Sequence, residues 1–230
     1  LLLTLHRKIQ IIMNKIGAII TGDIIASTAL TALEREVMLM ALKGIPEVLQ
    51  PIVPQIVVEI FRGDSFQILV PETKLAVEVA IGVRAWLRSQ KMENANVVLD
   101  ARLAVGIGSI DFESNSLATS DGEAFRRSGR LLDEMTRSRL EISTPWEAVN
   151  NELKVSTAFA DDIISSWTES QSTIVLQSLL TRGSHMEVAG KLNISRQMVT
   201  KSLKIAKEEL ISNYMSRFET LISDHIRKKR

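Results

Sequence analysis

The sequence predicts an α+β fold, with one unit of helices packed on a sheet and then a smaller all-helical unit. Apolar residues alternate between strand-like and helix-like spacing as far as about residue 160, and only helix-like spacing follows. The composition, 45% hydrophobic and 24% charged over 230 residues, is typical of a globular chain with a substantial core. We therefore expect an α/β domain over residues 13–165 and a helical domain over residues 166–230.

Short apolar runs that end in turn residues predict the strands, and 3.6-residue apolar spacing predicts the helices. The predicted strands are 15–21, 56–61, 66–70, 97–110 and a further short one at 140–143. The predicted helices of this domain are 33–49, 73–91, 122–136 and 146–164. Residues 62–65 have the length and chemistry of a tight hairpin between two of the strands. The alternation predicts helices layered on a single sheet.

Composition excludes several classes of protein. The chain has no cysteine, which excludes disulfides and thiolate metal sites, and its three scattered histidines argue against a zinc centre. Residues 1–12 are apolar but too short and too charged for a membrane span. We expect a cytoplasmic protein that starts naturally at Met13, which makes residues 1–12 a non-native or disordered extension.

Charge is distributed unevenly along the chain. The formal net charge is +1, but residues 182–230 contain 11 Lys or Arg and 5 Asp or Glu, a net charge of +6. The rest of the chain is therefore acidic. Only the C-terminal quarter is suited to binding phosphate groups.

Residues 186–203 have the pattern of a helix-turn-helix. Small or apolar residues occupy the inward positions: Val188, Ala189, Leu192, Ile194 and Val199. Asn193 stands at the turn, where it can adopt left-handed backbone angles, and Ser195 is a good N-cap for the second helix. Predicted helices at 170–180 and 207–226 complete a small bundle around the motif.

The second helix of this motif is predicted to be a recognition helix that binds double-stranded DNA. Its outward side chains can hydrogen-bond to base edges or phosphates in a major groove. The predicted DNA contacts are Ser195, Arg196, Gln197, Thr200, Lys201 and Lys204. The alternative interpretation is a polar helical hairpin with ordinary surface lysines.

Two aspartates stand at predicted turns of the α/β domain. Asp23 follows the first strand and Asp64 lies at the hairpin tip. Two carboxylates on adjacent strands can hold Mg²⁺ together with substrate phosphates. If the carboxylates lie close together, their repulsion requires a cation, an arginine such as Arg62, or a shared proton. The alternative interpretation is that both are turn formers.

Four segments of the α/β domain resemble the SatD-type family of bacterial proteins. They are 22–28 (GDIIAST), 63–67 (GDSFQ), 102–108 and 121–125 (DGEAF), and the resemblance covers about residues 15–135. Their motifs in turn resemble the catalytic domain of class III nucleotidyl cyclases. The resemblance implies a ferredoxin-like, cyclase-like sheet with packed helices, a nucleotide ligand and a homodimer.

The resemblance to cyclases also implies roles for individual residues. Asp23, Asp64 and the Ile24 carbonyl fall on the metal-ligand positions, which implies Mg²⁺ or Mn²⁺. Arg130 falls on the position of the catalytic arginine, and Arg126 stands where cyclases have an asparagine. Thr119 falls on a base-recognition position, so the implied nucleotide-binding residues are Arg126, Arg130 and Thr119. The alternative for the helix arginines is a solvated face paired with Asp133 and Glu134.

Three hypotheses for the function follow from these patterns. The first is a DNA-binding transcription regulator whose cyclase-like domain binds a nucleotide or forms a homodimer. The second is a metal-dependent nucleotidyl cyclase-like enzyme with an accessory helix-turn-helix domain. The substituted cyclase positions, such as Arg126 and the missing lysine near Ile60, favour the first. The third hypothesis makes the α/β domain a scaffold for assembly.

Overall fold

A five-stranded sheet forms the centre of the N-terminal part of the protein. The computed structural model describes residues 15–61, 63–94, 96–110, 117 and 120–227. The strands are β1 (Lys15–Ile24), β2 (Val57–Phe61), β3 (Ser65–Val70), β4 (Ala101–Ile110) and β5 (Leu140–Ser143). Their order is β2-β3-β1-β4-β5, and all neighbours are antiparallel except β4 and β5. The first four strands therefore have the ferredoxin-like arrangement, to which β5 is added.

Eight α-helices accompany the sheet in the described part of the chain. They are α1 (Ala32–Leu49), α2 (Ala76–Arg88), α3 (Glu123–Glu134), α4 (Glu147–Ser165), α5 (Glu169–Thr181), α6 (His185–Leu192), α7 (Arg196–Ile205) and α8 (Glu208–Arg227). Capping boxes begin α1, α5 and α6, at Thr31, Thr168 and Ser184. In each box the side chains of the first and fourth residues satisfy backbone N–H groups that have no partner inside the helix.

The two faces of the sheet carry separate apolar layers. Alternate residues of β1 point to opposite faces, so that Ile20 packs with α1 and α2 while Ile19 packs with α3. Helix α3 lies very close to β4. A Cβ added at Gly106 would be 2.2 Å from the Ala124 carbonyl oxygen, so glycine is required for this contact. Helices cover both faces of the sheet, and the α+β prediction is confirmed.

The largest difference from the sequence prediction concerns the strand expected over residues 97–110. It begins only at Ala101, because the Val97 N–H turns back to the Asn94 carbonyl and Asp100 points into buried ion pairs. The helix expected over 73–91 begins with a 3-10 turn, Thr73–Leu75, and ends at Arg88. At the other end of the sheet, β1 continues to Ile24 because β4 pairs with it throughout.

One continuous core joins the sheet to the C-terminal helices. Ile20 and Leu103 of the sheet belong to the same buried cluster as Trp167, Ile174 and Phe218. Helix α5 packs on α2, and α8 packs on α4. A short connection, residues 166–168, joins the two parts. The proposed division into domains at about residue 165 stays a prediction, and the expected extension over residues 1–12 lies outside the described residues. Among the described helices, none combines the length and apolar character needed to cross a membrane.

Candidate functional site

Helices α6 and α7 form a tight helix-turn-helix. Asn193 joins them in the left-handed conformation, with φ 52°. The Ile194 N–H donates to the Ala189 carbonyl at 3.1 Å, which closes the turn. Ser195 caps α7, since its hydroxyl accepts a hydrogen bond from the Met198 N–H at 3.2 Å. The turn geometry and the N-cap are therefore those expected from the sequence.

The inward residues of the motif fix the angle between its two helices. Val188, Ala189, Val199 and Leu203 are buried, and Leu192 and Ile194 are half-buried against the same core. Ala189 is small enough for the backbone of the turn to approach α6 closely. Burial of these positions leaves the opposite side of α7 to the solvent.

The six residues predicted to contact DNA are all exposed: Ser195, Arg196, Gln197, Thr200, Lys201 and Lys204. Those at 196, 197, 200, 201 and 204 share one side of α7, because residues three and four apart in a helix lie above one another. Thr200 is held by His185, whose Nδ1 lies 2.9 Å from the threonine Oγ1. Within the described chain, no ion pair engages Arg196, Lys201 or Lys204.

Asp23 lies at the end of β1 on the face that α3 covers. Arg102 stands directly opposite on β4 and holds both carboxylate oxygens, with Nε 3.0 Å from Oδ1 and Nη2 2.5 Å from Oδ2. The hydrogen bonds and charge of Asp23 raise the pKa of Arg102. The same guanidinium donates from Nη1 to the Met135 carbonyl at 2.8 Å, which ties it to the end of α3. Arg102 therefore provides a counter-charge for Asp23. Arg62, the arginine suggested for this role from the sequence, lies outside the described residues.

Asp64 lies in the turn between β2 and β3, next to Gly63 with φ 82°. Its carboxylate accepts a hydrogen bond from the Ser27 hydroxyl at 2.6 Å, and its main-chain oxygen accepts from the Ile24 N–H at 3.0 Å. A cavity of about 140 Å³ opens beside it. Its lining residues are Ser27, Thr28, Arg35, Met38, Leu39, Gly63 and Asp64.

In the structure, each of the two aspartates has a side-chain partner from the protein itself: Arg102 for Asp23 and Ser27 for Asp64. Arg102 donates a hydrogen bond to each oxygen of Asp23 and so already supplies a counter-charge to this carboxylate. In the described ranges no group of three or more His, Cys, Asp or Glu residues is placed to hold a metal ion. Residues Asp23, Ile24 and Asp64 do lie side by side, since the backbones of Ile24 and Asp64 are hydrogen-bonded. The metal role stays a prediction.

The arginines of α3 line a polar groove of about 360 Å³ between that helix and β5. Arg126 pairs with Asp121 at 2.6 Å, and Arg127 pairs with Glu123 at 2.7 Å. The Gly122 N–H and then Arg126 lower the pKa of Asp121. Arg130 is exposed, and no ion pair links it to another described residue. Thr119, the third implied nucleotide contact, lies outside the described residues.

A buried cluster of ion pairs, which the sequence analysis missed, lies between the sheet and the C-terminal helices. Asp100 accepts hydrogen bonds from Arg84 at 2.8 and 2.9 Å and from Arg88 at 2.7 Å. Arg84 also donates to Asp161 at 2.6 Å. Burial works to raise the pKa of Asp100, but the hydrogen bonds and charges of its arginines outweigh this effect and lower it. The available signal was a pair of arginines four residues apart on a largely apolar helix.

Comparison of the chain with protein-family models and with curated proteins finds no match. The resemblance to the SatD-type family therefore rests on the quoted motifs alone and stays a prediction.

Proposed function

We propose that the protein is a DNA-binding transcription regulator in which α7 is the recognition helix. The observation that carries this proposal is the division of α7 into two sides. Val199 and Leu203 are buried in the bundle, while the cations Arg196, Lys201 and Lys204 project from it without an ion-pair partner in the described chain. Cationic and amide side chains on the exposed side of a second helix are suited to the major groove.

The N-terminal sheet unit is proposed to bind a nucleotide, to form a homodimer, or to do both. The groove that contains Arg126 and Arg130 supports an anionic ligand, because Arg130 has a guanidinium that the described residues leave unpaired. A homodimer would present two copies of α7 to half-sites about one helical turn of DNA apart. Light scattering at micromolar concentration tests the dimer, and a monomeric mass with and without DNA would contradict it.

The second candidate function is a metal-dependent nucleotidyl cyclase-like enzyme. The cavity beside Asp64, with Ser27 and Arg35 in its lining, favours a ligand at this edge. The bidentate contact of Arg102 with Asp23 argues against it. Incubating the protein with nucleoside triphosphates and Mg²⁺ or Mn²⁺ separates the two functions, since turnover is expected only from the enzyme.

The DNA-binding proposal is tested with the full chain and a matched pair of double variants. Lys201→Ala/Lys204→Ala removes two exposed charges from α7, and Lys43→Ala/Lys91→Ala removes two exposed charges from the sheet unit. Affinity for duplex DNA is measured across a salt series. Each lost phosphate contact lowers the slope of log K against log salt by about 0.9. We expect the α7 variant to lose affinity and slope and the control to keep both; equal behaviour would contradict the proposal.

A further inference from the structure

The connection between α4 and α5 is attached to both parts of the molecule through Trp167. Its indole is 1% exposed, and Nε1 donates to the Ala206 carbonyl at 2.9 Å. Ala206 is the C-cap residue of α7. The one indole N–H of Trp167 therefore holds the last turn of the proposed recognition helix.

The main chain around Trp167 is held from the other side by Arg88 of α2. One guanidinium nitrogen of Arg88, Nη2, donates to the Trp167 carbonyl at 2.5 Å and to the Ser165 carbonyl at 2.9 Å. Its Nη1 donates to Asp100 at 2.7 Å. Arg88 is 4% exposed, so these contacts are made away from bulk water, where hydrogen bonds to a charged group are strong.

Asp100 connects the Arg88 contacts to the edge of the sheet that contains Asp23. It lies two residues before Arg102, which holds the Asp23 carboxylate. The Asp100 main-chain oxygen also accepts a hydrogen bond from the Ile25 N–H at 3.0 Å, just beyond the end of β1. Hydrogen-bonded groups and two short backbone segments thus connect Asp23 to Ala206 through residues 100–102, Arg88 and Trp167.

We propose that Arg88 and Trp167 are positioning residues that couple the Asp23–Arg102 edge of the sheet to the recognition helix. This coupling rests on the proposed function for its biological meaning, since α7 must bind DNA for its position to matter. A ligand that draws Arg102 away from Asp23 would shift the start of β4. The Arg88 contacts would transmit that shift to Trp167 and change the position of α7.

The first test compares two tryptophan variants that each lose one indole hydrogen bond to a backbone carbonyl. Trp167→Phe loses the bond to Ala206, and Trp86→Phe loses a bond of 2.8 Å to the Ala41 carbonyl within the sheet unit. Amide hydrogen exchange is measured along the full chain. We expect Trp167→Phe to raise exchange in α7 by roughly two- to tenfold, the size of one net hydrogen bond, with little change in α1 and α2. We expect Trp86→Phe to leave α7 unchanged.

The second test is a double-mutant cycle with exchange in α7 as its readout. Arg102→Gln alone should raise exchange in α7, and in the Trp167→Phe background it should raise it much less. The coupling would be overturned if Arg102→Gln left exchange in α7 unchanged. It would also be overturned if the increase in the double variant equalled the product of the increases in the two single variants. Equal exchange in α7 for the two tryptophan variants would overturn it as well.

Affinity for duplex DNA, measured on the same proteins, separates failure of the coupling from failure of the proposed function. If the wild type binds no duplex DNA, the proposed function fails, and the exchange data still decide whether the coupling exists. If the wild type binds DNA, Trp167→Phe should weaken binding to a selected sequence by roughly two- to tenfold and leave binding to random DNA unchanged. An unchanged affinity for the selected sequence would overturn the positioning role.

Discussion

The edge of the sheet around Asp23 and the exposed side of α7 both carry charged residues that the sequence singles out, but they differ in partners. Asp23 has both oxygens bound by Arg102, and Asp64 is bound by Ser27. Arg196 and Lys201 have no ion-pair partner among the described residues. A charged group that is already paired contributes mainly to stability, whereas an unpaired exposed charge is available to a ligand. The comparison therefore favours DNA binding over metal-dependent catalysis.

The largest effect is expected where charges are paired most completely. Asp100→Asn leaves Arg84 and Arg88 buried without their shared carboxylate. Removing one partner of a buried ion pair costs about 3–5 kcal/mol. Urea unfolding should show this loss for Asp100→Asn and a change within about 0.5 kcal/mol for the exposed Lys201→Ala. Equal losses of unfolding free energy in the two variants would contradict the expected difference between buried and exposed charges.

Acid should weaken the same cluster. Because the folded-state pKa of Asp100 is lowered, its contribution to stability is present above its unfolded pKa of about 4 and is lost as the pH falls through the folded value. The free energy of unfolding should therefore decrease below about pH 4. Unfolding in urea at several pH values should show a steeper decrease in wild type than in Asp100→Asn, by up to about 1.4 kcal/mol per pH unit. Parallel curves would contradict the pairing of Asp100.

A smaller effect is expected from opening the Asp23–Arg102 pair. Arg102→Gln costs on the order of 1 kcal/mol, because the pair is partly exposed to solvent. It also removes the cation that binds both Asp23 oxygens. Millimolar Mg²⁺ or Mn²⁺ should raise the melting temperature of Arg102→Gln and leave that of the wild type unchanged.

The control for the metal experiment is the double variant Arg102→Gln/Asp23→Asn, which should lose the metal response. If metal raises the melting temperature of the wild type and Asp23→Asn abolishes that rise, then the cation displaces Arg102 from Asp23. Asp23 would then be available to a ligand, and the proposed difference between the sheet and α7 would be wrong.

Local patterns predicted most of the fold and most of the helix-turn-helix. Apolar spacing located the strands and helices, and the chemistry of Asn193 and Ser195 predicted the turn and the N-cap. The partners of the charged residues could not be predicted in this way. Asp23 and Arg102 are 79 residues apart in sequence, and they meet only because of the register between β1 and β4. Local sequence spacing contains no information on that register.

Local sequence spacing could not predict the partners of Arg84 in the buried cluster either. Arg84 lies on a helix whose other residues are largely apolar, and its spacing from Arg88 fits a solvated face as well as a buried one. Its burial depends on Asp100 and Asp161, which other elements bring to it. With these partners in place, Arg84 is 0% exposed.

The measurement that tests the central claim most directly is selection of bound sequences from a random duplex DNA pool with the full chain. Wild type should enrich a shared sequence. Arg196→Ala and Gln197→Ala should lose preference at individual base pairs, because each base contact contributes about 1–3 kcal/mol of discrimination. Lys43→Ala, an exposed change in the sheet unit, should select the same sequence as wild type. No enrichment by the wild type, or an identical sequence from all four proteins, would contradict the assignment of α7 as a recognition helix.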